Sequence, residues 1–269
     1  EGYAMALQPD GKILLAGSAA NANDLDFALL RYNPDGSQDM DFGIDGGVLT
    51  PIGTNSGDVC FTMVVQPDGK ILLGGGSGSG FSSSGFAMAR FLPNGDLDAS
   101  FGVNGIVISP ISTGSNRGFS LALQPDGRIL MCGEARSEGP AGFAVARYLP
   151  DGTLDASFGT DGIVTTVMGV QSTARSVIVQ SDGKVLLAGE TYQISTDEAS
   201  DLALVRYLSD GALDTGFDGD GIVTTPVGTG AIGRAVQLQS NAHILVGGAS
   251  DLGFTLARYL NELSLGLLE

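Results

Sequence analysis

Short apolar runs alternate with polar turns along the whole chain, and glycine, proline or aspartate bounds nearly every run. Residues 4–7 and 13–16 are two such runs, and Gln-Pro-Asp-Gly-Lys separates them at residues 8–12. Proline presets the backbone for the second position of a tight turn, aspartate tolerates the third, and glycine takes the left-handed position that follows. Two apolar runs joined in this way predict a β-hairpin.

This hairpin sequence is repeated along the chain. It returns as Gln-Pro-Asp-Gly-Lys at 66–70, Gln-Pro-Asp-Gly-Arg at 124–128 and Gln-Ser-Asp-Gly-Lys at 180–184, and a diverged copy, Gln-Ser-Asn-Ala-His, occupies 239–243. The glutamines are 58, 58, 56 and 59 residues apart. A fixed period of this size is typical of repeat architectures. It divides residues 1–269 into five repeats, at about 1–58, 59–116, 117–173, 174–232 and 233–269.

Each repeat contains four predicted strands: one before the turn, one after it, a third that ends near an arginine, and a short fourth such as residues 47–50. Four short strands per repeat match a β-propeller blade. A solenoid, the alternative, needs distinct capping repeats, and residue 1 already begins a strand pattern. We therefore predict an all-β fold, a single five-bladed β-propeller of four-stranded antiparallel blades. The fifth repeat has no obvious outer strand, and residues 263–267 or a segment before residue 1 are the candidates.

A longer phrase follows the third strand of the second repeat. Residues 89–102 read Ala-Arg-Phe-Leu-Pro-Asn-Gly-Asp-Leu-Asp-Ala-Ser-Phe-Gly, and Gly-Ile-Val follows at 105–107. This phrase, its copy at 146–164 and the recurring turn resemble the bacterial delta-60 repeat family. The resemblance covers essentially the whole chain, although the fifth repeat loses the Leu-Asp-x-x-Phe-Gly segment. It implies a propeller that is secreted or displayed on the cell surface, and it implies no catalytic residue.

Composition narrows the partners that we expect. The formal net charge is −17, and aspartate dominates the acids because it is a turn residue. Nucleic acid is excluded as a partner because its phosphates require a basic face. No apolar run approaches the roughly 20 residues of a membrane helix, so we expect no membrane insertion. Cys60 and Cys132 are expected to be buried free thiols. We expect a monomer or one part of a larger surface protein.

An arginine in the third strand is followed eight residues later by an aspartate in four repeats. The pairs are Arg31 and Asp39, Arg90 and Asp98, Arg147 and Asp155, and Arg206 and Asp214. Strand alternation places each arginine on the same face as core residues. A buried guanidinium needs a carboxylate or carbonyl partners. We expect structural ion pairs, at least partly buried between blades. Arg258 lacks such an aspartate, although Glu262 is nearby.

Two further polar sets have mainly structural interpretations. A cation begins the second strand of each repeat, where we expect it to remain in solvent, at Lys12, Lys70, Arg128, Lys184 and His243. Residues 214–221 are rich in aspartate, which raises calcium as an alternative, but they lack the spacing of an EF-hand loop. Turn chemistry explains most of these acids. We therefore assign no metal and no cofactor.

One set breaks the repeat and suggests a binding site. The residue five positions before each recurring glutamine is aromatic in three repeats and arginine in two: Tyr3, Phe61, Phe119, Arg175 and Arg234. We expect these positions at the mouth of the channel, with Arg117 nearby. Arg117, Arg175, Arg234 and Tyr3 are candidates for binding a carboxylate, sulfate or phosphate. The alternative is that the arginines bond loop carbonyls or neutralise Asp58 and other rim acids.

The connections after the second and fourth strands vary most between repeats, and both are expected on one face of the propeller. Binding residues gather on variable loops held by a rigid scaffold. We therefore predict a non-enzymatic module that binds an unidentified ligand or protein on that face or spaces other domains. The alternative is a hydrolase or lyase, for example one acting on glycans, that uses acids of the same face. We assign no catalytic residue, because the recurring acids are turn residues.

Overall fold

In the computed structural model, the described part of the chain comprises residues 1–21, 24–53, 57–79, 82–193 and 200–261. Within these residues the chain forms nineteen β-strands and no helix. The strands fall into five antiparallel sheets that follow the five sequence repeats. The all-β prediction is therefore confirmed.

In four of the sheets the strands lie side by side in sequence order. The first contains β1 (Gly2–Leu7), β2 (Ile13–Ala20), β3 (Leu25–Tyr32) and β4 (Gly47–Thr50). The second contains β5 (Gly57–Val65), β6 (Ile71–Ser79), β7 (Ser82–Phe91) and β8 (Ile106–Ser109). The third contains β9 (Asn116–Leu123), β10 (Ile129–Ala135), β11 (Gly142–Tyr148) and β12 (Ile163–Thr166). The fourth contains β13 (Gln171–Val179), β14 (Val185–Tyr192), β15 (Ser200–Tyr207) and β16 (Ile222–Thr225).

The fifth sheet differs from the other four. It contains three strands, β17 (Ile232–Leu238), β18 (Ile244–Ser250) and β19 (Gly253–Tyr259), among the residues that the structure describes. The prediction of four strands in every repeat is therefore met in four sheets. Residues 263–267, the candidate outer strand, and Glu262, the candidate partner of Arg258, lie outside the described residues.

The recurring turn joins the first two strands of each sheet, as the sequence predicts. In the first copy the Gly11 N–H donates to the Gln8 carbonyl at 2.9 Å, and Gly11 has φ 84°. The glycines at the equivalent position of the next three copies also have positive φ. In the fifth copy Ala242 adopts φ 66°. A Cβ crowds the backbone in this conformation, at a cost of about 1–2 kcal/mol, so the diverged turn retains its shape against strain.

In the first, second, fourth and fifth sheets, the first strand of the hairpin contains a β-bulge with a glycine opposite it. In the fourth sheet Ala174 pairs with Gly189 and Ser176 with Ala188, so Arg175 is the extra residue. A Cβ on Gly189 would lie 1.9 Å from the Thr173 carbonyl oxygen. The same bulge places Tyr3, Phe61 and Arg234 opposite Gly17, Gly75 and Gly248. A bulge redirects the side chain of the extra residue.

The described residues group into two compact units. The first unit comprises Glu1–Leu123, Gly127–Met131 and Tyr148–Thr153, and the second comprises Gln124–Asp126, Cys132–Arg147 and Leu154–Glu269. In the first unit, Phe27 and Leu29 of β3 share a buried cluster with residues of the second sheet, including Leu73 and Ala87. In the second unit, Leu204 of β15 shares a buried cluster with Val236 and Val246 of the fifth sheet. Each unit therefore has its own core.

Both cysteines are buried, as expected, and neither forms a disulfide. Burial raises the pKa of the Cys60 thiol to about 12, and backbone contacts with Thr62 and Gly74 offset only part of this effect. A thiol with such a pKa is protonated near neutral pH and is a poor nucleophile. The two cysteines therefore serve as small core residues.

Candidate functional site

The arginine of each third strand binds the aspartate eight residues later. Arg206 Nε donates to Asp214 Oδ2 at 2.7 Å, and its guanidinium lies 4.3 Å from the centre of the Phe217 ring. The same contact occurs at 2.6 Å for Arg31 and Asp39, 2.8 Å for Arg90 and Asp98, and 2.8 Å for Arg147 and Asp155. All eight residues are buried. The aspartate in turn caps its own connection by accepting backbone N–H groups such as that of Gly216, at 3.1 Å.

Each of these arginines also contacts the next sheet. In the first unit, Arg31 Nη1 donates to the Pro93 carbonyl at 2.7 Å and Arg90 Nη1 to the Pro150 carbonyl at 2.5 Å. In the second unit, Arg147 and Arg206 donate in the same way to the carbonyls of Ser209 and Asn261, both at 2.5 Å. The arginine therefore connects two sheets as well as the strand and its loop.

A lysine joins the same carboxylate in three sheets. Lys12 Nζ lies 2.7 Å from Asp39 Oδ2, Lys70 Nζ 3.3 Å from Asp98 Oδ2, and Lys184 Nζ 3.1 Å from Asp214 Oδ2. The three lysine side chains keep 28–30% of their surface exposed, and their contact with the carboxylate was not predicted. Pairing of the first and second strands places the residue after the turn beside the loop that connects the third and fourth strands. The spacing of the sequence repeats does not reveal this contact.

The first unit holds the three aromatic residues that stand five positions before a recurring glutamine, Tyr3, Phe61 and Phe119. The rings of Tyr3 and Phe61 have centroids 5.3 Å apart, and those of Phe61 and Phe119 are 5.1 Å apart. The Tyr3 hydroxyl donates to a carboxylate oxygen of Glu1. Arg117 is half-buried on β9 in the same unit. Tyr3, Phe61 and Phe119 therefore form an aromatic cluster of the first unit.

The bulge residues of the second unit are the two predicted arginines. Arg175 forms a bidentate ion pair with Glu190: Nε lies 3.0 Å from Oε1 and Nη2 lies 2.6 Å from Oε1, while Nε also donates to Oε2 at 3.2 Å. Glu190 is buried, with 2% of its side chain exposed, and Arg175 keeps 29% exposed. Arg175 is thus held by a carboxylate of its own sheet, which was the alternative to anion binding.

A second glutamate lies beside this pair. Thr173, which pairs with Glu190 across β13 and β14, donates its hydroxyl to Glu134 Oε2 at 2.9 Å. Glu134 is half-buried near the end of β10. Thr173 therefore connects the two carboxylates, one from the third sheet and one from the fourth.

The surroundings of Glu190 shift the pKa of its carboxyl group. Burial raises the pKa of Glu190, and the nearby Glu134 carboxylate raises it further. The ion pair with Arg175 and the charge of Arg234 oppose this rise without cancelling it. Arg234 is exposed on β17. We name Glu134, Thr173, Arg175, Glu190 and Arg234 the glutamate–arginine cluster.

Sequence reasoning identified the two arginines of this cluster and missed both glutamates. Glu190 follows the glycine that faces the bulge, Glu134 occupies the same repeat position, and the equivalent positions of the other repeats hold Ser18, Gly76 and Ala249. Two carboxylates at one repeat position are a departure that an alignment of the repeats could have shown. No motif marks these two glutamates, because they do not recur in the other three repeats.

The aspartate-rich stretch at residues 214–221 has turn roles. Asp214 binds Arg206 and Lys184, Asp220 Oδ1 accepts the Ile222 N–H at 2.9 Å, and Asp218 has φ 53°. Across the described ranges, no group of three or more histidine, cysteine, aspartate or glutamate residues is placed to hold a metal ion.

Four segments match one family, described as a domain of unknown function (DUF5122) β-propeller. The matched residues are 8–42, 66–101, 124–158 and 180–217, which together make up more than half of the chain. The chain belongs to the DUF5122 β-propeller family. Each segment runs from the recurring glutamine to the phenylalanine three residues after the buried aspartate. The five sheets are therefore propeller blades, and the fifth blade lies outside the matched segments.

Solved structures are similar to the chain at low sequence identity. A polysaccharide lyase of family PL25, an ulvan lyase, has a TM-score of 0.53 and 13% identity over 96% of this chain and 64% of the lyase chain. A protein of unknown function from Bacteroides caccae has a TM-score of 0.47 and 13% identity over 96% of this chain and 77% of its own. No curated protein matches the chain. None of the described segments forms a helix that could cross a membrane.

Proposed function

We propose that the protein is a non-catalytic binding module and that the glutamate–arginine cluster contacts an acidic saccharide. The observation that carries the proposal is the position of Arg234. Its side chain is exposed at a bulge, and its charge acts on the buried Glu190. An anionic group bound to Arg234 would therefore come close to the two carboxylates and to Arg175.

The chemistry of the cluster favours a ligand with both hydroxyl groups and a negative charge. Carboxylates such as Glu134 accept hydrogen bonds from hydroxyl groups, and a guanidinium binds a carboxylate or sulfate with two parallel hydrogen bonds. Arg175 is largely occupied by Glu190, so Arg234 is the cation that we assign to the ligand's anion. The sequence predicts four residues for the anion site, and this assignment retains Arg234 with the residues beside it.

Isothermal titration calorimetry tests the proposal with oligosaccharides that contain glucuronate or sulfate and with neutral oligosaccharides of the same length. We expect the acidic ligands to bind and Arg234→Gln to weaken binding about tenfold or more, because a charge-assisted pair is lost. Arg258→Gln, at another exposed arginine of the same blade, is the matched control and should bind normally. Equal affinity for acidic and neutral saccharides in the wild type would contradict the proposal.

A glycan-acting lyase or hydrolase is the second candidate, and one observation favours it. Glu190 has a raised pKa beside a second carboxylate, which is the environment of a general acid. The ulvan lyase with the similar fold has been solved bound to -[GlcA(1-4)Rha3S]-, so this oligosaccharide is a suitable probe. Product formation that Glu190→Gln abolishes while binding persists would establish catalysis. Binding without turnover supports the binding module.

We also propose that the protein acts outside the bacterial cell or on its surface, where it binds a ligand or spaces other domains. The delta-60 resemblance of residues 89–107 and 146–164 supports this location. Fractionation of the native host, with detection of the protein by antibody, tests it. Recovery only from the cytoplasm would contradict the proposed location.

A further inference from the structure

A tyrosine follows the glutamate–arginine cluster on the strand that carries Glu190. Tyr192 is the last residue of β14 and stands two residues beyond Glu190, about 7 Å along the strand. The equivalent positions of the other four repeats hold Ala20, Gly78, Arg136 and Asp251. An aromatic residue therefore occupies this position in the fourth repeat alone, next to the residues that distinguish the cluster.

Strand alternation places Tyr192 on the face of β14 that meets the fifth blade. Residues two apart on a strand point to the same side of the sheet, so Tyr192 shares its face with Glu190 and Leu186. Leu186 belongs to the same buried cluster as Val236 of β17. Two residues before Val236, β17 carries Arg234. Tyr192 therefore faces the strand that holds the exposed arginine of the candidate site.

The phenol of Tyr192 is close enough to the cluster to act on it. Burial lowers the pKa of the Arg175 guanidinium, and its contacts with Glu190 and the nearby acidic groups of Glu134 and Tyr192 together raise that pKa above its ordinary value. Tyr192 is half-buried, so part of its side chain remains in contact with solvent. A partly exposed aromatic ring thus borders the cluster.

The backbone of Tyr192 is held by two strands and a loop. It pairs with Gln171 of β13 and with Ser200 of β15. The Val170 N–H donates to the Tyr192 carbonyl at 2.7 Å. Gly169 permits this contact, because a Cβ on Gly169 would lie 2.1 Å from the same carbonyl oxygen. A side chain on such a fixed backbone loses little conformational freedom when a ligand covers it.

Tyr192 and its cross-strand neighbour have the chemistry that binds a sugar ring. A pyranose ring has faces of C–H groups and a rim of hydroxyl groups. A tyrosine ring packs against an apolar face and keeps a polar tip. Gln171, the partner of Tyr192 across β13 and β14, is half-buried and carries an amide that donates to and accepts from hydroxyl groups. An open-chain sugar acid has the same polar groups and lacks the flat C–H face.

We propose that Tyr192 makes the candidate site selective for cyclic acidic sugars, with its ring packed on the C–H face of the pyranose whose anion is bound by Arg234. This role of Tyr192 rests on the proposed binding function and specifies the form of the ligand. Arg234 and Glu134 contact groups that an open-chain sugar acid also carries. The aromatic ring is therefore the part of the site that distinguishes the two forms.

Titrations followed by NMR chemical shifts, which also report weak binding, test the proposal with methyl glucuronide and gluconate. Both ligands carry one carboxylate and several hydroxyl groups, but gluconate is an open chain. We expect the wild type to prefer the glucuronide. Tyr192→Leu retains apolar volume and removes the flat ring, so it should weaken glucuronide binding about fivefold and leave gluconate binding unchanged. Tyr192→Phe retains the ring and should bind both ligands like the wild type.

Arg234→Gln separates failure of this role from failure of the proposed function. It should weaken the binding of both ligands, because both present a carboxylate. If it does so while Tyr192→Leu leaves the preference for the glucuronide unchanged, the role of Tyr192 alone is overturned. An equal loss of both ligands in Tyr192→Leu, with the variant folded by circular dichroism, also overturns it. If neither ligand binds the wild type, or Arg234→Gln has no effect, the proposed function fails together with this role.

Discussion

In three of the blades, one buried aspartate carboxylate binds both an arginine and a lysine. The two cations differ in how far water screens their charge. Arg206 is buried against Asp214, whereas 30% of the Lys184 side chain is exposed. A buried charge that loses its partner retains the full cost of its desolvation. An exposed ion pair is screened by solvent and contributes about 1 kcal/mol or less. The two cations should therefore contribute very unequally to stability.

We predict that Arg206→Met lowers the free energy of unfolding by about 3 kcal/mol, because Asp214 remains buried with a single partial partner. The matched variant Lys184→Met should lower it by less than about 1 kcal/mol. Urea unfolding followed by circular dichroism measures both. Equal losses for the two variants would show that the buried and exposed cations are equivalent, against this account.

The aspartate pKa values predict loss of stability in acid. Burial opposes the ionised form of Asp155, but hydrogen bonds from Ser157 and the charge of Arg147 outweigh it and lower the pKa of Asp155 from 3.8 to about 2. A carboxylate with a lowered folded-state pKa stabilises the fold above its unfolded pKa, and this contribution disappears as the pH falls through the folded value. The relevant window is therefore from about pH 3.8 down to about pH 2.

We predict that the melting temperature of the wild type falls through this window and that Asp155→Asn reduces the fall. Asparagine cannot be protonated there, so the variant starts less stable at neutral pH and loses less on acidification. Calorimetry over the pH series measures the difference between the two proteins. A constant difference from neutral pH to pH 2 would mean that Asp155 does not titrate in this window.

Among the elements, the bulged hairpin has the strictest sequence requirement. A Cβ on Gly248 would lie 1.8 Å from the Ile232 carbonyl oxygen, whereas a Cβ on the neighbouring Gly247 would meet no atom within 4 Å. Glycine is required at position 248 because the backbone of the neighbouring strand approaches closely there, and it is not required at position 247. The bulge also sets the direction of Arg234, so the element and the candidate site are linked.

We predict that Gly248→Ala destabilises the fifth blade by about 1–3 kcal/mol, because the added methyl forces the bulged strand away. Gly247→Ala, one residue earlier in the same strand, should be neutral or slightly stabilising, because it lowers the entropy of the unfolded chain. Hydrogen exchange of the fifth-blade amides reports the change locally. Loss of protection in both variants would contradict the bulge explanation.

The hairpins and the paired charges were accessible from the sequence for physical reasons. The turn at residues 8–12 needs a left-handed glycine, and Gly11 provides it in the structure. Arg206 lies near the end of the third strand, and Asp214, eight residues later, lies in the loop that it caps and binds this arginine. The bulge was not predicted, because an extra residue in one strand leaves no periodic signal. For the same reason, the sequence could not show that Gly189 faces the bulge.

On the scale of the whole molecule, the recurring residues dominate the sequence pattern, so the few residues that differ between repeats are hard to recognise. Glu134 and Glu190 occupy one repeat position, but contact between the third and fourth blades brings them to Thr173. A contact between two blades cannot be predicted from the sequence pattern of one repeat. The ion pair of Arg175 with Glu190 likewise depends on the pairing of two strands, which the pattern of a single repeat does not give.

A crystal structure with an acidic disaccharide soaked into the glutamate–arginine cluster tests the central claim most directly. We predict that a ligand carboxylate or sulfate lies within hydrogen-bond distance, about 3 Å, of the Arg234 guanidinium. Ligand hydroxyl groups should reach Glu134, and the bidentate contact between Arg175 and Glu190 should persist. Density for the ligand away from Arg234, or an unliganded cluster at a concentration where calorimetry shows saturation, would contradict the account.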